Sequence, residues 1–171
     1  MTNFFRIATC SCLFGMMSLA GPRLHAEGKH MEKVRASALK VEMIQSDEIS
    51  VPAAFQVAIY ENLIQQLGKK ASFLHVYRDG DRDAASTPNL VLLHTTVSGF
   101  KKGSERMRQV TTVAGATSIT IHCRFTSVDG KVLLEKDVNG KVRFFGDNLK
   151  VTYDFAKKAS ALVSDNFAAA G

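Results

Sequence analysis

The sequence predicts an α/β chain of the α+β type: a two-layer sandwich in which one mixed sheet of about five strands carries two helices on one face, in the order β-α-β-β-β-β-α. Three observations point there. Residues Thr117 to Val128 alternate, with Ile119, Ile121, Cys123 and Phe125 on one side and Ser118, Thr120, His122, Arg124 and Thr126 on the other. Two segments, 52–67 and 149–167, instead repeat apolar residues at helical spacing. Each helical stripe needs a partner, and a sheet built from such strands offers one apolar face to both.

The elements follow in order. Lys33 to Ile44 reads as a strand whose phase shifts at Leu39-Lys40-Val41, and Ser46 to Ser50 as a loop. A helix runs from Pro52 to Leu67: proline suits a first turn, Phe55, Ile59 and Leu63 recur every four residues, and Gly68 is placed to end it. Lys69 and Lys70 complement the negative end of its dipole. Phe73–Tyr77 and Asn89–Phe100 are strands, with a polar loop between them and a long loop or broken strand from Lys101 to Gly115. Asp129-Gly130 is a hairpin turn leading into Lys131–Val138. Asn139-Gly140 is a second turn signal, and Lys141–Phe145 reads as a further strand or a bulged continuation of the preceding one. The last helix starts at Leu149 with Asn148 as its N-cap, and buries Val151, Phe155, Ala159, Leu162 and Val163. Both ends of the domain, Glu27–His30 and Ala168–Gly171, read as frayed.

Before this domain stands an export signal. Arg6 is followed by 15 uncharged, mostly apolar residues from Ile7 to Gly21, then Pro22, Arg23 and Leu24-His25-Ala26. That run is short of the ~20 residues of a membrane span, so residues 1–26 read as a cleaved signal peptide and 27–171 as a single domain. No transmembrane span is expected after cleavage. Removing 1–26 takes away Arg6 and Arg23 and no acid. The charge falls from +6 to +4, with 20 basic and 16 acidic residues left. This mild excess suits weak attraction to an anionic envelope polymer or surface and excludes the dense basic face of a nucleic-acid binder. Cys10 and Cys12 leave with the signal, so Cys123 has no intramolecular disulfide partner and reads as a small buried hydrophobe.

A family likeness is carried by the helix Ala53–Leu67, the strand Leu90–Gly99, the basic stretch Gly103–Gly115, the hairpin from Ser118–Ile121 through Val128-Asp-Gly-Lys-Val132, and the closing helix. Together these resemble the bacterial domain-of-unknown-function family 4410. More distantly they resemble the α/β domains of envelope lipoproteins that assemble curli pores or activate penicillin-binding proteins. The resemblance implies a non-enzymatic envelope accessory or assembly domain, and it supplies no catalytic residues. The chain departs from those lipoproteins in its cysteines: Cys10 follows Thr9 and Cys12 follows Ser11, both too early in the apolar run for a lipobox.

Several patterns invite chemistry. Ser37-Ala-Leu-Lys40 and Ser98-Gly-Phe-Lys101 match the Ser-x-x-Lys of penicillin-recognising enzymes. Both fall in expected strands, where residues three apart point to opposite faces, and no Lys-Thr-Gly follows. Asp79-Gly-Asp81-Arg-Asp83 opens like a calcium loop, but its sixth position is Ala84 and its twelfth Leu90. His75, His94 and His122 lie on three strands, each on the polar face by alternation. Three imidazoles on neighbouring strands would hold zinc, which defines the alternative reading, a metal-dependent hydrolase. Lys101, Lys102, Arg106 and Arg108 concentrate positive charge in one segment and form the candidate contact for an anionic partner. No cofactor-binding motif occurs.

The expected protein is therefore a periplasmic or secreted, non-catalytic accessory domain that binds an envelope protein or anionic polymer through its polar sheet face and the 101–115 segment. Self-association is open to it as well. Mass spectrometry of the protein from its native host should recover a chain beginning near Glu27 in the envelope fraction. An intact Met1 terminus in the cytosol would overturn the export assignment.

Overall fold

A computed structural model describes residues 32–71, 74–110, 115–142 and 147–170, without the side chain of Arg108. Residues 1–26, the expected signal peptide, and Phe73 and residues 143–146 of the expected strands lie outside them. The elements are β1 (Val34–Ala36), β2 (Ala38–Val41), α1 (Ala53–Lys70), β3 (His75–Tyr77), β4 (Leu90–Lys101), α2 (Glu105–Val110), β5 (Thr117–Ser127), β6 (Val132–Val142), α3 (Lys150–Asn166) and β7 (Phe167–Ala169). Among the described residues five strands form a mixed sheet in the order β3-β2-β4-β5-β6, and β1 pairs with β7 in a small separate sheet. β2 runs parallel to β3 and β4, while β4, β5 and β6 are antiparallel. The α+β sandwich is thus as expected, but its element order is not the simple β-α-β-β-β-β-α.

Strand alternation supplies the core. Leu39, Val41, Leu93, Val97, Ile119, Ile121 and Phe125 are buried on one face of the sheet. Phe55, Ile59, Leu63 and Leu67 of α1 and Val151, Phe155, Ala159 and Val163 of α3 cover them. Each large side chain removed from water here stabilises by roughly 1.5–3 kcal/mol, so this single face dominates the stability of the fold. A bulge between Val97 and Gly99 swings Phe100 opposite Ile119, where it meets Phe55 edge-on at 5.1 Å between ring centres.

Local signals were overridden where packing decided otherwise. The first expected strand breaks at Ser37: Ala36 belongs to the small sheet and Ala38 to the large one, so the break precedes the phase shift at Leu39. Pro52 sits just before α1 rather than in it; its carbonyl accepts N–H bonds from Phe55 and Gln56. The helix passes through Gly68 to Lys70, since the dipole-matched lysines and the bond from Ala71 N–H to Leu67 carry it on. Asn148 does not cap α3. It is buried, its side-chain oxygen accepts the Thr117 hydroxyl, and α3 begins at Lys150. The 101–115 segment is not one loop: Lys101 ends β4 and α2 follows. The terminal alanines are not frayed, because Phe167 is buried against Phe125 and β7 pairs with β1, with Ala170 N–H donating to Ala36 O at 2.8 Å.

Asn139-Gly140 is the most instructive correction. It is not a turn, for β6 runs straight through it to Val142. Glycine is needed there because α3 crosses on top of the strand. A Cβ on Gly140 would stand 2.4 Å from the Val151 carbonyl oxygen and 2.9 Å from Phe155 Cβ. Gly140→Ala should therefore cost about 1–3 kcal/mol, as overpacking does. Gly68→Ala, whose new methyl meets nothing within 4 Å inside a helix, should stabilise by roughly 0.5–1 kcal/mol. Urea denaturation of both variants checks the contrast; equal effects would refute the crossing as the reason for Gly140.

Candidate functional site on the open sheet face

The helices cover one face of the sheet, and alternation sends the remaining side chains of β4, β5 and β6 to the other. His94 pairs in register with Arg124, Thr96 with His122, His122 with Asp137 and Arg124 with Glu135. His94, Thr96, His122, Arg124 and Glu135, with Leu92, Thr126 and Gln45, shape a concavity of about 470 Å³ that reaches the β5–β6 turn.

Its ionisable groups are bonded to one another. His94 Nδ1 lies 2.7 Å from Glu42 Oε2, and its Nε2 lies 3.1 Å from the Thr126 hydroxyl. His122 is held on both sides: Nδ1 is 2.7 Å from Asp137 Oδ1 and Nε2 is 2.7 Å from Glu135 Oε1. An imidazole with a carboxylate at each nitrogen donates from both, so this geometry selects the imidazolium. The hydrogen bonds to Glu135 and then Asp137 raise the His122 pKa above the ordinary imidazole value. Glu135 is correspondingly lowered, first by His122 and further by the charge of Arg124, whose Nε is 3.3 Å away.

The three sequence-identified histidines do not converge. His94 and His122 are diagonal neighbours on β4 and β5, but β2 separates β3 from β4. His75 is level with Leu90 through Ala38, four residues before His94, which puts it on the order of 15 Å away. It is exposed and packs edge-on against Tyr77. Among the described residues no group of three or more His, Cys, Asp or Glu side chains is arranged to hold a metal ion. The acids of the calcium-like stretch also diverge. Asp79 binds Lys40 and the Met43 N–H, whereas Asp81 accepts the Arg78 N–H.

The basic residues lie elsewhere. Lys101, Lys102 and Arg106 are exposed at the end of β4 and on α2, the opposite end of β4 from the β5–β6 turn. Cys123 is buried on the core face, and desolvation pushes its thiol up to about 12, so it is not a nucleophile at neutral pH. Glu42, Arg124, Glu135 and Asp137 were not singled out from sequence. The signal for two of them was present: Glu135 and Asp137 alternate in the strand after Asp129-Gly130, and pairing back places them beside His122.

With this geometry in view, the comparisons with known proteins concern the fold. The chain is similar to PelC from Paraburkholderia phytofirmans, solved as a dodecamer, with a TM-score of 0.55 and 12% identity over 77% of this chain and 88% of that one. It is similar to an uncharacterised protein of known crystal structure, with a TM-score of 0.52 and 14% identity over 77% and 92%. A Xanthomonas campestris protein of domain-of-unknown-function family 330 aligns with a TM-score of 0.48 and 11% identity over 78% and 90%. No family model matches the chain, and no curated protein does. Among the described residues no helix is long and apolar enough to cross a membrane.

The His122 clasp has a definite pH signature. A raised histidine pKa contributes stability that is full below about pH 6.5 and is lost as pH rises through the folded-state value. The lowered Glu135 contributes above about pH 4.3 and loses its contribution as pH falls through its folded value. Urea midpoints measured from about pH 6 to about pH 9 should therefore decline more in the parent than in His122→Gln. Parallel curves would show that the clasp is not formed in solution.

Proposed function

We propose that this chain is an exported, non-catalytic accessory domain of the bacterial cell envelope that binds another macromolecule, or further copies of itself, through the open face of its sheet. The observation that carries the reading is the concavity on that face. The ionisable side chains lining it, His94, His122, Arg124 and Glu135, are each bonded to a neighbouring side chain on the same face. Groups tied up in this way shape and charge a surface; they do not present a free base beside a nucleophile. Membership of the resembled family 4410, or of a related bacterial family, belongs to the same proposal.

The fold likeness to a protein solved as a dodecamer supports self-association as one form of the binding. So does the exposed edge of β6, an 11-residue strand with the sheet on one side only. Part of that edge is closed from within. Asp154 accepts the Lys141 N–H at 2.9 Å, and Lys158 donates to the Asn139 carbonyl at 2.9 Å.

Thr96→Arg, which places a bulky cation on the floor of the concavity, tests the proposal. In sedimentation velocity the purified parent should run as an assembly that the variant breaks, or as a monomer that captures an envelope component the variant no longer holds. A parent that neither assembles nor captures anything sensitive to Thr96→Arg would overturn the reading.

A further inference from the structure

A second surface stands at the far end of β4. The segment 101–110 carries Lys101, Lys102, Arg106 and Arg108 against one acid, Glu105. Lys101, Lys102 and Arg106 are exposed. Beside them α2 exposes two apolar side chains three residues apart, Met107 at 46% and Val110 at 79%, the latter the largest fraction among the exposed large hydrophobic residues described. Residues three apart share a helix face, so α2 presents Met107 and Val110 together, with the exposed Arg106 beside them.

The segment is held in place by buried polar groups. The Gly103 N–H donates to the Thr117 hydroxyl at 3.0 Å, and that hydroxyl bonds the side chain of the buried Asn148. The Asn148 N–H in turn donates to Glu105 Oε1 at 3.1 Å, which binds the acid of the segment to the start of α3. The Met107 N–H is met by Ser104 Oγ at 3.3 Å. Gly103 is packed so closely against Gly115 and Ala116 that a Cβ there would stand 2.1 Å from the Gly115 carbonyl oxygen. The first turn of α2 is thus fixed to the body of the domain, with Arg106, Met107 and Val110 exposed. Beside Asn148, Asp147 accepts the Leu149 N–H at 2.8 Å.

Cations alone suit any polyanion. Cations together with protruding methionine and valine suit a surface that offers negative charge and, just below it, hydrocarbon. We propose that the Lys101–Val110 surface docks the domain onto an anionic lipid bilayer, with Lys101, Lys102 and Arg106 at the headgroup level and Met107 and Val110 entering the acyl boundary. The proposal extends the envelope reading by naming a partner for this segment, and rests on export only for which bilayer is met. It does not involve the concavity, so Thr96→Arg should leave it intact.

The test is co-sedimentation of the protein, in the form purified from the envelope of its host, with phosphatidylcholine vesicles that contain or lack phosphatidylglycerol. Binding to the anionic vesicles is expected to be much the stronger. It should weaken as salt shortens the screening length from about 10 Å at 0.1 M to about 3 Å at 1 M. Lys101→Ala and Lys102→Ala should each lower the partition coefficient by about fivefold. Met107→Ser with Val110→Ser should remove the part of the binding that survives high salt. All these positions are exposed, so thermal midpoints should equal that of the parent. Absence of binding to anionic vesicles would overturn the proposal, as would binding indifferent to both sets of substitutions. Soluble polyphosphate binding as tightly as vesicles, with Met107→Ser and Val110→Ser without effect, would overturn it in favour of a soluble polyanion.

Discussion

Everything in this fold hangs on burying one face of one sheet beneath two helices. α1 and α3 lay their apolar stripes on Leu39, Val41, Leu93, Ile119, Ile121 and Phe125, and the approach is close enough that α3 runs over β6 with no room for a Cβ at Gly140. Phe167, the residue after α3, is drawn into the same core, and this turns the chain end back beside β1. The edge of β6 is partly closed by Asp154 and Lys158 because α3 lies that near. Terminus, edge and glycine thus answer to a single packing requirement.

The cost of one-sided burial is a bare second face, which must satisfy its own polar groups. It does so by cross-strand pairing. His122 takes a carboxylate at each ring nitrogen, Arg124 shares Glu135, and His94 sits between Glu42 and Thr126. The result is a surface of alternating sign. The cations of Lys101, Lys102 and Arg106 are a separate matter. They share their segment with a single acid, Glu105, so the basic end of β4 differs in kind from the balanced face at its centre.

Much of this was legible in the amino-acid order. Alternation in Thr117–Val128 assigned the core and open faces of β5 residue by residue, and the four-residue repeat in 52–67 located α1. The polar side of the histidines was readable for the same reason, since a short period fixes which way a side chain points, and the basic segment was readable from its composition. What misled was local chemistry with more than one use. Asn139-Gly140 has the composition of a turn, yet here the glycine answers to a helix crossing from elsewhere in the chain. Asn148 has the composition of a cap, yet it is consumed by Thr117.

The sequence by itself determined the fold class, the two faces of β5 and the buried role of Cys123, because these depend on periodicities of two and 3.6 residues that a short segment carries within itself. Only the tertiary structure decided which strands are neighbours. That ordering removed His75 from the other two histidines, set Glu135 and Asp137 around His122, and anchored α2 through Thr117 and Asn148. Such contacts join residues from distant parts of the chain, and their pairing is settled by how the helices and the sheet fill one common core.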